Sequence, residues 1–253
     1  MQKDFKLRYF LEFAYNGTHY HGWQYQPNAV SVQETLNKVF STLLQEEIEI
    51  VGAGRTDTGV HASQMYGHFD TEKELDIEKL TYKANSFLPK DISIFKIIPV
   101  HNDAHARFDA TSRTYHYHIT THKNVFNTEL AWFYHHVLDV DAMNEAAKLL
   151  LGFTDFECFS KTNTDVFTYN CKITEAYWKN ENNTLIFTIT ADRFLRNMVR
   201  AIVGTLVNIG LHKINNEDFI KIIESKSRKN AGFSVPAQGL FLTKITYPYI
   251  KQE

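Results

Sequence analysis

The stretch Gly52-Ala53-Gly54-Arg55-Thr56-Asp57-Thr58-Gly59-Val60-His61-Ala62 places a guanidinium, a carboxylate and an imidazole within a few positions of one another. A carboxylate on such a loop suits acid–base or nucleophilic work, because it can take a proton or form a bond to carbon. Its glycines permit positive φ or the close approach of another chain. As a phosphate loop the stretch fails, since no Gly-Lys-Ser/Thr ending is present. As a dinucleotide fingerprint it also fails, because Asp57 stands where the third glycine belongs. The residues alone leave a plainer reading open, in which Asp57 and Thr58 make a turn and Asp57 bonds its own backbone.

Other residues invite pairing with that carboxylate or with an anionic ligand. A helix expected over residues 194–211 buries Leu195, Met198, Val199, Ile202, Val203 and Leu206, and places Arg196 and Arg200, four apart, on another face. Such a pair serves phosphates or one buried acid, or is simply solvated. The strand Arg113-Thr114-Tyr115-His116-Tyr117-His118 alternates, so Arg113, Tyr115 and Tyr117 share one face, which suits either base stacking or core packing. Among the 12 histidines, His101 and His105 lack the Glu of a zinc helix. Neither His135-His136 nor the group His116, His118 and His122 has a Cys or carboxylate set resembling a ligand shell, so no metal is expected.

These residues need elements to position them. The first half reads strand 5–14, a turn at Asn16-Gly17, a helix capped by Ser31 in the capping-box form Ser-Val-Gln-Glu, and a strand at 48–51. The glycine-bearing loop, a strand at 64–69, a helix at 76–87 and a strand at 91–98 complete it. The second half repeats the order: strand 113–120, helix 139–151, strands 172–179 and 184–190, helix 194–211, a short helix 216–225 and strand 239–247. The expected class is α+β. Two ferredoxin-like β-α-β-β-α-β halves, with antiparallel sheets packed together around a central cleft, would divide as domains 1–103 and 104–253.

Composition narrows the classes further. With 43% hydrophobic residues and only 11 Gly and 5 Pro, the chain can build packed cores, which excludes a disordered or low-complexity protein. Two cysteines, Cys158 and Cys171, make no disulfide framework, and the charged start Met1-Gln2-Lys3-Asp4-Phe5-Lys6 does not read as a signal peptide. A cytoplasmic protein is the expectation, with no membrane span. The net charge of −2 argues against a globally basic nucleic-acid binder, so any RNA surface must be local. Residues 193–213 hold four Arg or Lys and no acid, and residues 105–125 hold three Arg or Lys and one acid.

The loop at 52–62 resembles the active-site signature of the tRNA pseudouridine synthase A family. The resemblance extends to Tyr20-His21-Gly22-Trp23-Gln24, Ser31-Val32-Gln33-Glu34, Asn85-Ser86-Phe87-Leu88-Pro89 and His105-Ala106-Arg107-Phe108-Asp109-Ala110. It continues through Arg113-Thr114-Tyr115-His116-Tyr117, Met198-Val199-Arg200 with Gly204, and Pro236-Ala237-Gln238-Gly239-Leu240-Phe241-Leu242. It implies that Asp57 is the catalytic aspartate, Tyr115 the aromatic residue against the target uracil, Arg200 the cation paired with the aspartate, and Arg55 the residue that enters the RNA. It further implies a cofactor-free homodimer that isomerises uridines 38, 39 and 40 in the anticodon arm of tRNA. Ala104 stands where the family usually has an aromatic residue, and Arg196-Asn197 replaces a commonly aromatic or His-rich pair. A non-catalytic RNA-binding module and a carboxylate-dependent glycosidase or base-exchange enzyme are the competing classes.

Overall fold

The structure, a computed structural model, describes residues 6–162 and 166–251. The charged start at residues 1–5, including the first residue of the expected opening strand, lies outside the described residues. The chain forms two compact units. One runs through Thr111 and resumes at Leu242, and the other spans Ser112–Phe241. The sequence-based division at 103/104 therefore differs in two respects: the segment up to Thr111 and the C-terminal stretch both group with the first unit. Local bonds explain this. Thr111 N–H donates to the Thr246 carbonyl at 2.8 Å, and Tyr249 Oη donates to Asp109 Oδ2 at 2.6 Å.

In the first unit the order is β1 (Leu7–Tyr15), α1 (Val32–Leu44), β2 (Val51–Gly52), β3 (His61–Thr71), α2 (Ile77–Phe87) and β4 (Ile92–Val100). β1 pairs antiparallel with both β3 and β4, and β2 pairs antiparallel with β3. The resulting order, β4-β1-β3-β2, is the split β-α-β arrangement expected of a ferredoxin-like half. Helix starts follow the side chains that cap them: Ser31 Oγ accepts from Glu34 N–H, and Asp76 Oδ1 accepts from Lys79 N–H. Leu36 and Phe40 on α1 recur at helical spacing and are fully buried, with the Phe40 ring 5.4 Å from Phe69 of β3.

β2 is shorter and later than the strand expected at 48–51. Residues 48–50 spend their backbone groups on α1 instead: Ile48 N–H on Ser41 Oγ, Ile50 N–H on Asn37 Oδ1, and the Ile50 carbonyl on Gln33 Nε2. Side chains thus satisfy an extended segment that joins no ladder.

The second unit contains β5 (Ser112–Thr120), β6 (Trp132–Phe133), α3 (Val140–Leu149), β7 (Ile173–Glu181), β8 (Thr184–Ala191), α4 (Met198–Gly210) and α5 (Asn216–Glu224). β8 lies antiparallel between β5 and β7, and β6 adds a short parallel pairing to β5. Tyr117, Phe187, Ile189, Ile202 and Leu206 are among its buried core side chains. β9 (Leu240–Thr246) follows, and within the first unit it lies beside β3, where Ile245 N–H donates to Gln64 Oε1 at 3.0 Å.

One helix start departs from expectation. α4 begins at Met198, because Asn197 adopts φ 68°, a left-handed conformation that asparagine tolerates better than most residues. Arg196 therefore precedes the helix, where its carbonyl accepts from Lys161 N–H at 3.0 Å. The expected helical Arg196/Arg200 pair does not form.

Candidate active site

The loop carrying Asp57 is built from the first unit's own backbone. Ala53 N–H donates to the Tyr66 carbonyl at 2.8 Å, which anchors the loop's start to β3. The Asp57 carbonyl then accepts Val60 N–H at 3.1 Å, closing a four-residue turn in which Gly59 takes φ +76°. That is the third position of a turn of type II, where positive φ favours glycine. The turn reading left open by the sequence is thus correct for the backbone around Asp57. It excludes no chemistry at the side chain.

A second layer holds this turn from beneath, and it comes from residues 15–23. Trp23 N–H donates to the Thr56 carbonyl at 3.3 Å, and Gly59 N–H donates to the Tyr20 carbonyl at 3.3 Å. Tyr15 Oη and Thr56 Oγ1 share a hydrogen bond of 2.8 Å. His61 is buried and its Nδ1 accepts Gly17 N–H at 3.0 Å, so its role is to fix the end of the loop. Tyr20 Oη donates to Asp91 Oδ1 at 2.7 Å, and burial followed by that bond raises its pKa, keeping the phenol neutral. The approach is too close for a side chain at three glycines, and a Cβ on Gly17 would sit 2.0 Å from the Val60 carbonyl oxygen. A Cβ on Gly22, itself at φ +86°, would sit 2.3 Å from the Thr56 carbonyl oxygen, and one on Gly52 would sit 2.5 Å from the Trp23 indole. On this support Arg55 is exposed and Asp57 is half-buried.

The second unit positions Tyr115 and Arg200. Tyr115 on β5 is half-buried and meets the Phe194 ring edge-on, with centroids 5.1 Å apart at 86°. Tyr117, for which the alternation left base stacking and core packing both open, is fully buried, and its Oη donates to the Pro236 carbonyl at 2.8 Å. It is a core residue whose phenol pKa burial pushes up. Arg200 on α4 is half-buried; its Nε donates to the Val235 carbonyl at 2.7 Å, and its own carbonyl accepts Val235 N–H at 3.3 Å. Ala104, one of the departures from the family pattern, is buried, and its carbonyl accepts from Arg8 Nη1 at 2.9 Å.

Sequence reasoning missed the residues that support the loop, although it had singled out Tyr20-His21-Gly22-Trp23-Gln24. A glycine between large aromatic residues was the available signal, since it marks a place where another chain passes. Among the described residues, no group of three or more His, Cys, Asp or Glu side chains stands together to hold a metal ion. Nor is any described helix long and apolar enough to cross a membrane.

Comparison with known proteins gives this geometry its chemical context. The family model described as tRNA pseudouridine synthase matches residues 13–109 and 146–248, taking in the Asp57 loop and α4. The chain is 55% identical over 243 residues to the tRNA pseudouridine synthase A of Bacteroides fragilis, covering 95% of this chain and 96% of that protein. It is 52% identical over 242 residues to that of Parabacteroides distasonis, with the same coverage of both chains. A more distant relative of the same name in Thermoanaerobacter sp. is 43% identical over 240 residues, 92% of this chain and 96% of its own. The chain belongs to the tRNA pseudouridine synthase family and is an isomerase of tRNA uridines.

Proposed function

We propose that Asp57 carries the isomerisation, that Arg200 is its cationic partner, that Tyr115 lies against the target uracil, and that Arg55 enters the RNA. The proposed targets are uridines 38, 39 and 40 of the anticodon arm, and the working form is a cytoplasmic homodimer. In the reaction the C1′–N1 bond breaks and the freed uracil turns. A C1′–C5 bond then forms, the proton on C5 is lost, and N1 gains one. No atom is added overall and no electron is transferred, and in this reading the chemistry rests on the Asp57 carboxylate beside the glycosidic bond. Attack on the ring, attack at C1′ and removal of the C2′ proton all begin from that group.

The observation that carries this reading is the support under the loop. A turn held by five hydrogen bonds from residues 15–23 and 66, with no room for a side chain at Gly22, is the pre-organisation that positioned catalysis demands. Extruding a stacked nucleotide costs roughly a few kcal/mol, and stacking on an aromatic ring returns about 1–3 kcal/mol, so a tyrosine already held edge-on by Phe194 suits the flipped base. A neighbouring guanidinium favours an ionised carboxylate, which is the role given to Arg200.

Pseudouridine mapping of tRNA from cells lacking this protein tests the target assignment. Loss confined to positions 38, 39 and 40 is the expected result, and intact pseudouridine at all three would overturn it.

A further inference from the structure

The Arg200 side chain is held by a strap rather than by its helix alone. Residues 232–235 run along α4 with backbone against backbone: a Cβ on Gly204 would lie 1.9 Å from the Phe233 carbonyl oxygen, and one on Gly232 would lie 2.6 Å from the Gly204 carbonyl carbon. Gly232 N–H donates to Thr205 Oγ1 at 2.9 Å, and that hydroxyl donates to the Ala201 carbonyl at 2.8 Å. At the far end of the strap, Val235 binds Arg200 twice, accepting from Nε and donating to the backbone carbonyl. The Val235 carbonyl therefore anchors the guanidinium at Nε.

One further side chain fixes the strap. Arg228 uses its two terminal nitrogens on different targets, Nη1 on the Gly232 carbonyl and Nη2 on Ser234 Oγ, both at 2.8 Å. The same Ser234 oxygen accepts Asn197 Nδ2 at 2.7 Å, and Asn197 is the left-handed residue from which α4 starts. Ser234 thus ties Arg228, the start of α4 and the residue before Val235 together at one atom. We infer that Arg228 and Ser234 are positioning residues for the reaction, acting through Val235 to hold the Arg200 guanidinium in its working orientation. This inference rests on the role assigned to Arg200 above.

A bidentate fork is required at residue 228, because a lysine ammonium is a single point charge and does not reproduce two divergent bonds from a planar group. At residue 234 only a hydroxyl is required. The full-length variants Ser234→Ala, Ser234→Thr, Arg228→Lys and Arg200→Ala, with Ser234→Ala combined with Arg200→Ala, are compared in single-turnover kinetics at saturating tRNA. Binding is measured separately by filter retention, and folding by thermal melting.

Ser234→Ala and Arg228→Lys should each lower the rate about threefold to tenfold, the loss expected for one misplaced hydrogen bond, with tRNA affinity within about twofold of the parent. Ser234→Thr should restore the rate. In the Arg200→Ala background, Ser234→Ala should cause no further loss, since the group it positions is gone. If Arg200→Ala slows turnover but Ser234→Ala does not, or if the two losses multiply independently, the positioning role is overturned. If Arg200→Ala leaves turnover unchanged, the assignment of Arg200 itself fails.

Discussion

Gly22→Ala probes the support under the Asp57 turn from outside the turn. Two costs act together. Gly22 holds φ +86°, a region where an L-residue pays about 1–2 kcal/mol, and the new methyl meets backbone rather than a flexible side chain. At 2.3 Å from the Thr56 carbonyl oxygen and 3.1 Å from the Asp57 carbonyl carbon, it falls about 1 Å short of ordinary contact with the first. Relieving the overlap adds roughly 1–3 kcal/mol or displaces the turn by a comparable distance. A total near 2–5 kcal/mol lowers the melting temperature by roughly 4–20 °C. The catalytic effect should be larger in proportion, because a misplacement of about 1 Å costs around 100-fold in rate. The assay pairs thermal melting with single-turnover pseudouridine formation at saturating tRNA. Gly54→Ala is the stability control, since a methyl there meets nothing within 4 Å and the residue lies in the same loop. A Gly22→Ala protein with parental melting and parental turnover would refute the claim that this glycine lets the support close on the loop.

The close approach of α4 and the 232–235 strap predicts that Gly204→Ala, whose Cβ would lie 1.9 Å from the Phe233 carbonyl oxygen, lowers stability by about 1–3 kcal/mol or more. Urea unfolding would read this, and an unchanged midpoint would contradict it. His68 supplies a pH prediction. Burial first, then the Arg8 guanidinium and His105, hold its pKa at about 4, below its ordinary value, and its Nδ1 accepts Ala106 N–H at 3.2 Å. The folded protein thus keeps His68 neutral while the unfolded chain protonates near pH 6.5. The contribution is full above that pH, falls as pH drops towards 4 and is flat below, with a size of about 1–3 kcal/mol. His68→Asn retains an acceptor and should flatten that slope in urea midpoints measured across the window. The slope will not vanish, because burial also lowers the pKa of His105. A variant as acid-sensitive as the parent would exclude His68 as a source.

Much of the architecture was legible because local chemistry specifies it. Ser31, Asp76 and Asp139 each accept a backbone N–H three residues on, and Asn215 makes a reciprocal capping box with Asp218, so four helix starts could be placed from side-chain type. The fifth, α4, could not: nothing local distinguishes Asn197 in a helical conformation from Asn197 at φ 68°, and the bond to Ser234 that accompanies it comes from a distant segment. The same reason hid β6, a two-residue strand whose existence depends on pairing with β5.

Tyr115 and Tyr117 carry the same periodicity, and only tertiary packing makes one half-buried and the other core. At the candidate site the loop and its residue types stood out as chemistry. Tyr15, Gly22 and Trp23 beneath it, and Arg228 and Ser234 behind Arg200, act through contacts that no spacing rule encodes.

The most direct test of the central claim is Asp57→Asn, which keeps the shape of the side chain while removing its charge. Purified variant and parent are given the same unmodified tRNA, and bound RNA and pseudouridine are measured in the same samples. The account predicts tRNA retained with near-parental affinity and no pseudouridine formed. Pseudouridine accumulating at the parental rate would contradict it.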